Sequence, residues 1–139
     1  MNGCLETFVV TMAMMAVLMF VSAAAEEITK KIKERKMKKM YISGPITGYE
    51  TEERIEAFAA ASARAEAMGY KAVNPMKDQP EGWSWEEYMR RDIEKLCKCD
   101  AIVMMRGWEH SRGAKLEMEI AKALEMEVFY MVEEGGEGC

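Results

Sequence analysis

The stretch Ala101–Glu117, AIVMMRGWEHSRGAKLE, sets the reading of this 139-residue chain. It opens with the uninterrupted apolar run Ala101–Met105, the pattern of a strand covered on both faces. Arg106–Arg112 follows as a loop. Ser111 then stands where it caps a helix over Gly113–Leu124. A buried strand, a loop and a helix in that order make most of a βαβ unit.

Working outward, the same alternation recurs. Val128–Val132 (VFYMV) is expected as the next strand. Upstream, Ser84 and Glu87 have capping-box spacing at the start of a helix running to about Lys98. Its apolar stripe is Trp85, Met89, Ile93 and Leu96. Lys71–Asn74 is a short strand stopped by Pro75, and residues 75–83 form a loop. Thr51–Met68 is a helix with Thr51 as its cap, Glu52 and Glu53 in its first turn, and Ile55, Phe58, Ala59 and Ala65 as its apolar stripe. Met37–Ser43 is the first strand, ended by Gly44-Pro45. The order βαβαβαβ predicts an α/β domain over residues 37–132: a parallel sheet of about four strands between helical layers. Ligands of such sheets bind beyond the carboxyl ends of the strands, where the strand order switches. The loops Gly44–Glu50, Pro75–Trp83 and Arg106–Arg112 all lie at that end.

Composition narrows the function. The formal net charge is −5, and residues 40–139 alone carry −8. A protein that neutralises many phosphates is normally basic, so no polynucleotide partner is expected. One histidine excludes any site built from several His ligands, and no metal or other cofactor is expected. Cys4 and Cys139 lie near the ends and Cys97 and Cys99 are one residue apart. That spacing suits neither a redox pair nor a zinc knuckle and reads as free thiols.

Residues 1–36 form a separate leader. Phe8–Ala25 is uncharged throughout, and residues 30–39 carry seven bases and one acid. As a helix the apolar run would reach roughly 27 Å, close to a bilayer core. The basic flank would place its carboxyl side in the cytoplasm. Four readings stand open: a membrane anchor through residues 8–25, a packing helix, a cleaved signal ending near Ala23-Ala24-Ala25, or an extension upstream of a start at Met37 or Met40. Residues 133–139 read as a flexible glycine-rich tail.

Candidate chemistry collects in the three loops and the helices behind them. Ser43-Gly44-Pro45-Ile46-Thr47-Gly48 offers glycines and hydroxyls after a strand, without the lysine of a phosphate-binding P-loop. Ser111 and Gly113 open the last helix, and Glu117 lies in its second turn, where the positive helix end is expected to favour the carboxylate. A positioned, ionised carboxylate is what covalent glycosyl transfer needs. Asp92 is a poor residue for a helix interior, which leaves either an exposed face or a role. Trp83 and Trp108 fall in loops and could stack on a base or sugar. Trp85 and Tyr41 read as core, and His110 as an exposed loop residue.

Taken together, YISGPITG (Tyr41–Gly48), Asn74-Pro75, WEEYMRRDIEKLCKCDAIVMM (Trp85–Met105) and GWEHSRGAKLE (Gly107–Glu117) resemble the nucleoside 2-deoxyribosyltransferase superfamily. The likeness is to its small uncharacterised bacterial and phage domains, related to deoxynucleoside 5′-monophosphate N-glycosidases. The resemblance implies a flavodoxin-like or Rossmann-like three-layer fold. It implies a Glu nucleophile, matched by Glu117 in the string Ser111-x-Gly113-x-x-x-Glu117, with Asp92 handling the base or sugar and Tyr41 beside them at the end of the first strand. Gly44, Pro45, Ile46, Thr47, Gly48, Asn74, Trp108, Ser111 and Gly113 become candidate substrate-binding residues. The implied partner is a small nucleoside or nucleotide, and the implied assembly a homo-oligomer with pockets completed by neighbouring subunits. Two positions depart from the N-glycosidases, which carry an Arg where Thr47 stands and a His where Asn74 stands. Arg54, Arg106 and Arg112 are the candidates to replace that cation.

Overall fold

The computed structural model describes residues 3–48 and 50–132, so the expected tail 133–139 lies outside the described residues. The chain divides into two units after Met37. The first is one continuous helix, α1 (Gly3–Lys36).

The second unit is the expected α/β domain. Its elements are β1 (Lys39–Ser43), α2 (Thr51–Ala67), β2 (Lys71–Val73), α3 (Trp85–Leu96), β3 (Ala101–Met104), α4 (Arg112–Ala123) and β4 (Glu127–Tyr130). The four strands form a parallel sheet in the order β2-β1-β3-β4. The chain runs from β1 out to β2, then crosses back over β1 to β3. Strand order therefore switches between β1 and β3, where Ser43 lies opposite Met104. Right-handed crossovers place helices on opposite faces when the direction of travel reverses.

Alternation along the strands sorts the core into two layers. Met40 and Ile42 of β1 and Ala101 and Val103 of β3 pack with Phe58, Ala61 and Ala65 of α2. Tyr41, Ile102 and Met104 point the other way and pack with Leu96 of α3 and Ala114, Met118 and Ala121 of α4. β3 is buried at every residue, as its apolar run implies.

Local differences from expectation have simple causes. Glu50, not Thr51, holds the N-cap position of α2, without a side-chain cap bond. Ile55 and Ala59 face solvent, because a single helix on that side needs only the narrow stripe Phe58, Ala61 and Ala65. The buried face of α3 centres on Met89, Asp92 and Leu96 rather than on Ile93, so it includes a carboxylate. The loop before α4 contains a single 3-10 turn, Trp108–His110, entered through Gly107 at φ 82°. The capping box of Ser84 and Glu87 and the Ser111 cap both form.

Gly44 follows β1 directly at the switch point. A Cβ there would lie 2.8 Å from Cβ of Met105, an atom that cannot swing away. The residue is glycine so that the first loop can lie against the end of β3. Gly44→Ala is expected to destabilise the fold by about 1–3 kcal/mol through overpacking, read as a lower midpoint of urea unfolding. An unchanged midpoint would contradict this account of the contact.

Candidate active site

A crevice of about 560 Å³ opens at the carboxyl ends of β1 and β3. The first loop walls it with Gly44, Pro45, Ile46 and Thr47. α3 contributes Trp85, Tyr88, Met89 and Asp92; the turn before α4 contributes His110 and Ser111, and α4 itself Arg112, Gly113, Ala114 and Glu117.

Glu117 is only 5% exposed. Its Oε1 accepts a 2.7 Å hydrogen bond from the Tyr41 hydroxyl and its Oε2 a 2.5 Å bond from the Ser43 hydroxyl. Tyr41 and Ser43 stand two apart on β1, so the pleat sends both side chains to the same face. Both are fully buried and neither lines the crevice. Burial pushes the Glu117 carboxyl up to about 7, against the pull of the Ser43 and Tyr41 donors, and the nearby Asp92 adds to the rise. The expected dominance of the helix end is thus corrected. Glu117 sits in the second turn of α4, beyond the reach of the first-turn amides, and desolvation outweighs them. Burial and the Glu117 charge raise the Tyr41 phenol well above its ordinary value, so it remains a donor at neutral pH.

Asp92 is 3% exposed, which excludes the exposed-face reading. The guanidinium of Arg91 donates two hydrogen bonds to its Oδ1, at 3.0 and 2.8 Å. Desolvation still raises the Asp92 carboxyl, with Arg91 opposing. Arg91 also donates to the carbonyls of Pro75 (2.9 Å) and Asp78 (3.3 Å) and packs against the rings of Trp83 and Tyr88. Tyr88 donates from its hydroxyl to the Pro80 carbonyl. One arginine therefore neutralises Asp92 and ties the 75–83 loop to α3. That loop brings Gln79 to the crevice.

The remaining candidates separate by position. Ser111 and Gly113 line the crevice, with Ser111 Oγ accepting the Ala114 amide at 3.3 Å. Gly113 faces Met89, whose Sδ would be 3.1 Å from an added Cβ. Three candidates do not line the crevice. Gly48 supplies a turn at φ 90°. The Asn74 side chain accepts the amide of Met76 at 2.8 Å and closes its own turn. Trp108 packs on the α4-side core with its ring near Tyr130, drawn there by the 3-10 turn. Trp83 packs on Tyr88 instead. The tryptophan in the crevice is Trp85, with the Arg112 guanidinium 3.8 Å over its ring. Sequence reasoning missed Gln79, Tyr88 and Met89 as site neighbours, held Arg112 only as a candidate cation, and held Ser43 only as a first-loop hydroxyl rather than as a partner of Glu117. For Ser43 the signal was present, in its spacing of two from Tyr41. Among the described residues no cluster of His, Cys, Asp or Glu has the makings of a metal site.

This α/β fold, a four-stranded parallel sheet with helices on both faces, matches the fold of solved 2-deoxyribosyltransferases. Similar solved structures include a 2-deoxyribosyltransferase from the psychrotolerant bacterium Bacillus psychrosaccharolyticus. It is 17% identical, with a TM-score of 0.51 over 66% of this chain and 70% of that one. Another is a 2-desoxiribosyltransferase from Leishmania mexicana, 20% identical, with a TM-score of 0.52. Here the match covers 68% of this chain and 63% of the other, so this chain spans less than two thirds of that enzyme. Residues 38–130 match the family described as Domain of unknown function (DUF4406), and the chain belongs to that family. No curated protein sequence matches it.

The raised Glu117 carboxyl carries a stability consequence. Its folded value of about 7 lies above the ordinary 4.5, so the folded state holds the proton more tightly than the unfolded chain. The stabilisation is fully present below the unfolded value and is lost as pH rises through about 7, a change of about 3 kcal/mol. Urea unfolding of the wild type should weaken across that interval, whereas Glu117→Gln should show a much flatter profile. Parallel declines in the two proteins would contradict the assignment.

Proposed function

We propose that the domain breaks or transfers the N-glycosidic bond of a deoxynucleoside or deoxynucleoside 5′-monophosphate, with Glu117 as nucleophile. The observation that carries this reading is the Glu117 carboxylate, which reaches an open crevice while both its oxygens are held from behind. The likeness of the fold to two enzymes named as deoxyribosyltransferases supports it.

In the proposed reaction a Glu117 oxygen forms a bond to the anomeric carbon. The bond from that carbon to the base nitrogen breaks, and its electron pair leaves with the base. Asp92, whose raised carboxyl lines the crevice, positions the sugar or supplies the proton that neutralises the departing base. Water or a second base then attacks the anomeric carbon and frees the carboxylate. The oxocarbenium-like transition state favours a nearby negative charge. Attack requires the ionised carboxylate, so the rate should rise with pH through about 7.

The substrate's other groups have matching neighbours. Trp85 and Tyr88 offer aromatic surface for a base. Arg112 lines the crevice five residues before Glu117 on α4. That separation is roughly 7–8 Å of helical rise, a span that a furanose ring and its 5′ carbon can bridge. A guanidinium stacked on an aromatic ring keeps its edge donors available, so Arg112 suits a 5′-phosphate where Thr47 offers no charge.

Chromatography of a panel of deoxynucleosides and their 5′-monophosphates tests the proposal. Free base should accumulate with wild type and fall roughly a thousandfold with Glu117→Gln. Arg112→Ala should raise KM for monophosphates about tenfold and change that for nucleosides much less. No base from any substrate, or an unaltered Glu117→Gln, would overturn the proposal. Thermal stabilisation by nucleotides without base release would instead identify a non-catalytic nucleotide-binding module.

We further propose that α1 tethers the domain to the inner face of a membrane. Large apolar side chains from Phe8 to Val21 are all more than half exposed. They fall on consecutive positions and so ring the helix, as a lipid-spanning segment requires. The helix is long and apolar enough to cross, and the basic run Lys30–Lys39 suits the cytoplasmic side. On cell fractionation the full chain should pellet with membranes and be released by detergent but not by salt. A chain beginning at Met37 should remain soluble. A wholly soluble full chain would overturn the tether.

A further inference from the structure

Ser43 stands out as a buried hydroxyl bonded to Glu117 whose own part in the reaction has not been assigned. It is fully buried, and its backbone carbonyl accepts the Met105 amide at 2.7 Å, so β3 fixes it in place. Its hydroxyl donates to Glu117 Oε2, while Glu117 lines the crevice and Ser43 does not. The hydroxyl therefore reaches the reacting group from behind and has no path to substrate.

A carboxylate held through one oxygen can still turn about its terminal bond, since such torsions are soft. A second donor on the other oxygen fixes the plane. The two donors here come from one strand at a spacing of two, so β1 itself dictates that plane.

We propose that Ser43 is a positioning residue for Glu117, locking the carboxylate plane with Tyr41 so that an oxygen is aimed at the anomeric carbon. This rests on the glycosidic reading above. During attack one carboxylate oxygen becomes the ester oxygen and the other becomes a carbonyl. A hydroxyl donates to either, so the cradle persists through the step and no proton has to move within it. Ser43 is a neutral donor, which lets it hold the ionised form without forming a salt bridge that would quench the nucleophile.

The groups around the carboxylate define what the test reads. Tyr41 and Ser43 face it from β1, the Arg91-paired Asp92 from α3, and His110 of the 3-10 turn and Arg112 of α4 line the same crevice. Of these, Ser43 is the strongest influence favouring the charged carboxylate. Removing it should raise the Glu117 titration midpoint above about 7.

The experiment compares full-length wild type, Ser43→Ala, Ser43→Cys and Ser43→Thr, each first shown folded by thermal melting. For Ser43→Ala, kcat should fall about tenfold to a hundredfold with KM little changed, and the rising limb of the pH profile should move up by about one unit. Ser43→Cys, near the serine in size but a weak donor, should resemble Ser43→Ala. Ser43→Thr should restore most of the activity and the original limb. In parallel, carbon-13 NMR titration of the Glu117 carboxyl should show the same displacement without any substrate. An unmoved midpoint in Ser43→Ala would overturn the proposal, as would equal losses in the alanine and threonine variants. If wild type releases no base, the glycosidic reading fails by itself, and the NMR midpoint still decides whether Ser43 controls Glu117.

Discussion

Burying a carboxylate is costly unless its oxygens find donors, and the crevice face of this domain is organised around that constraint. Glu117 must reach the core side of the sheet to sit at the floor of the crevice. Tyr41 and Ser43 make this tolerable, and they do so because β1 is the strand at the switch point. Its neighbour β3 locks Ser43 by backbone pairing, and Gly44 then lets the first loop fold over the end of β3. Strand order, first loop and carboxylate are thus one arrangement. Even so, two neutral donors do not fully offset desolvation, which leaves Glu117 poised near neutrality.

Asp92 meets the same constraint with a different solution. Its partner Arg91 is a charge, and that charge is shared with two loop carbonyls and two aromatic rings. The guanidinium fork suits such multiple contacts. Consequently the carboxylate on α3 and the 75–83 loop are mechanically joined. Two buried acids, one cradled by hydroxyls and one by a guanidinium, occupy distinct electrostatic environments. That is the condition under which a pair of carboxylates takes unlike roles in the proposed reaction.

Much of this was legible in the residues. The apolar run Ala101–Met105 announced a fully buried strand, and the alternation around it announced the parallel sheet. Ser84 with Glu87, and Ser111, marked helix starts through capping chemistry that is local and therefore readable. The string from Ser111 to Glu117 placed the carboxylate on the correct helix. What escaped depended on tertiary facts. Whether Asp92 faces solvent or core is a matter of which arc of α3 meets the sheet, and Ile93 competed for the same arc. Trp108 lies off the crevice because the 3-10 turn sets its half-buried ring against the α4-side core, while Trp85 on α3 lines the crevice. Asn74 looked like a binding residue but satisfies its own turn. The state of Glu117 could not be read from helix position, since burial by β1 outweighs the helix end.

The central claim is that Glu117 attacks sugar carbon. Mass spectrometry of the protein after incubation with a slowly resolving 2′-fluorinated deoxynucleoside or its 5′-monophosphate tests it most directly, because fluorine at that carbon slows release of a glycosyl ester. The account predicts a mass increase equal to one sugar unit, with or without its phosphate, carried by Glu117. An adduct on another residue, or base release with no adduct under conditions that slow turnover, would contradict it.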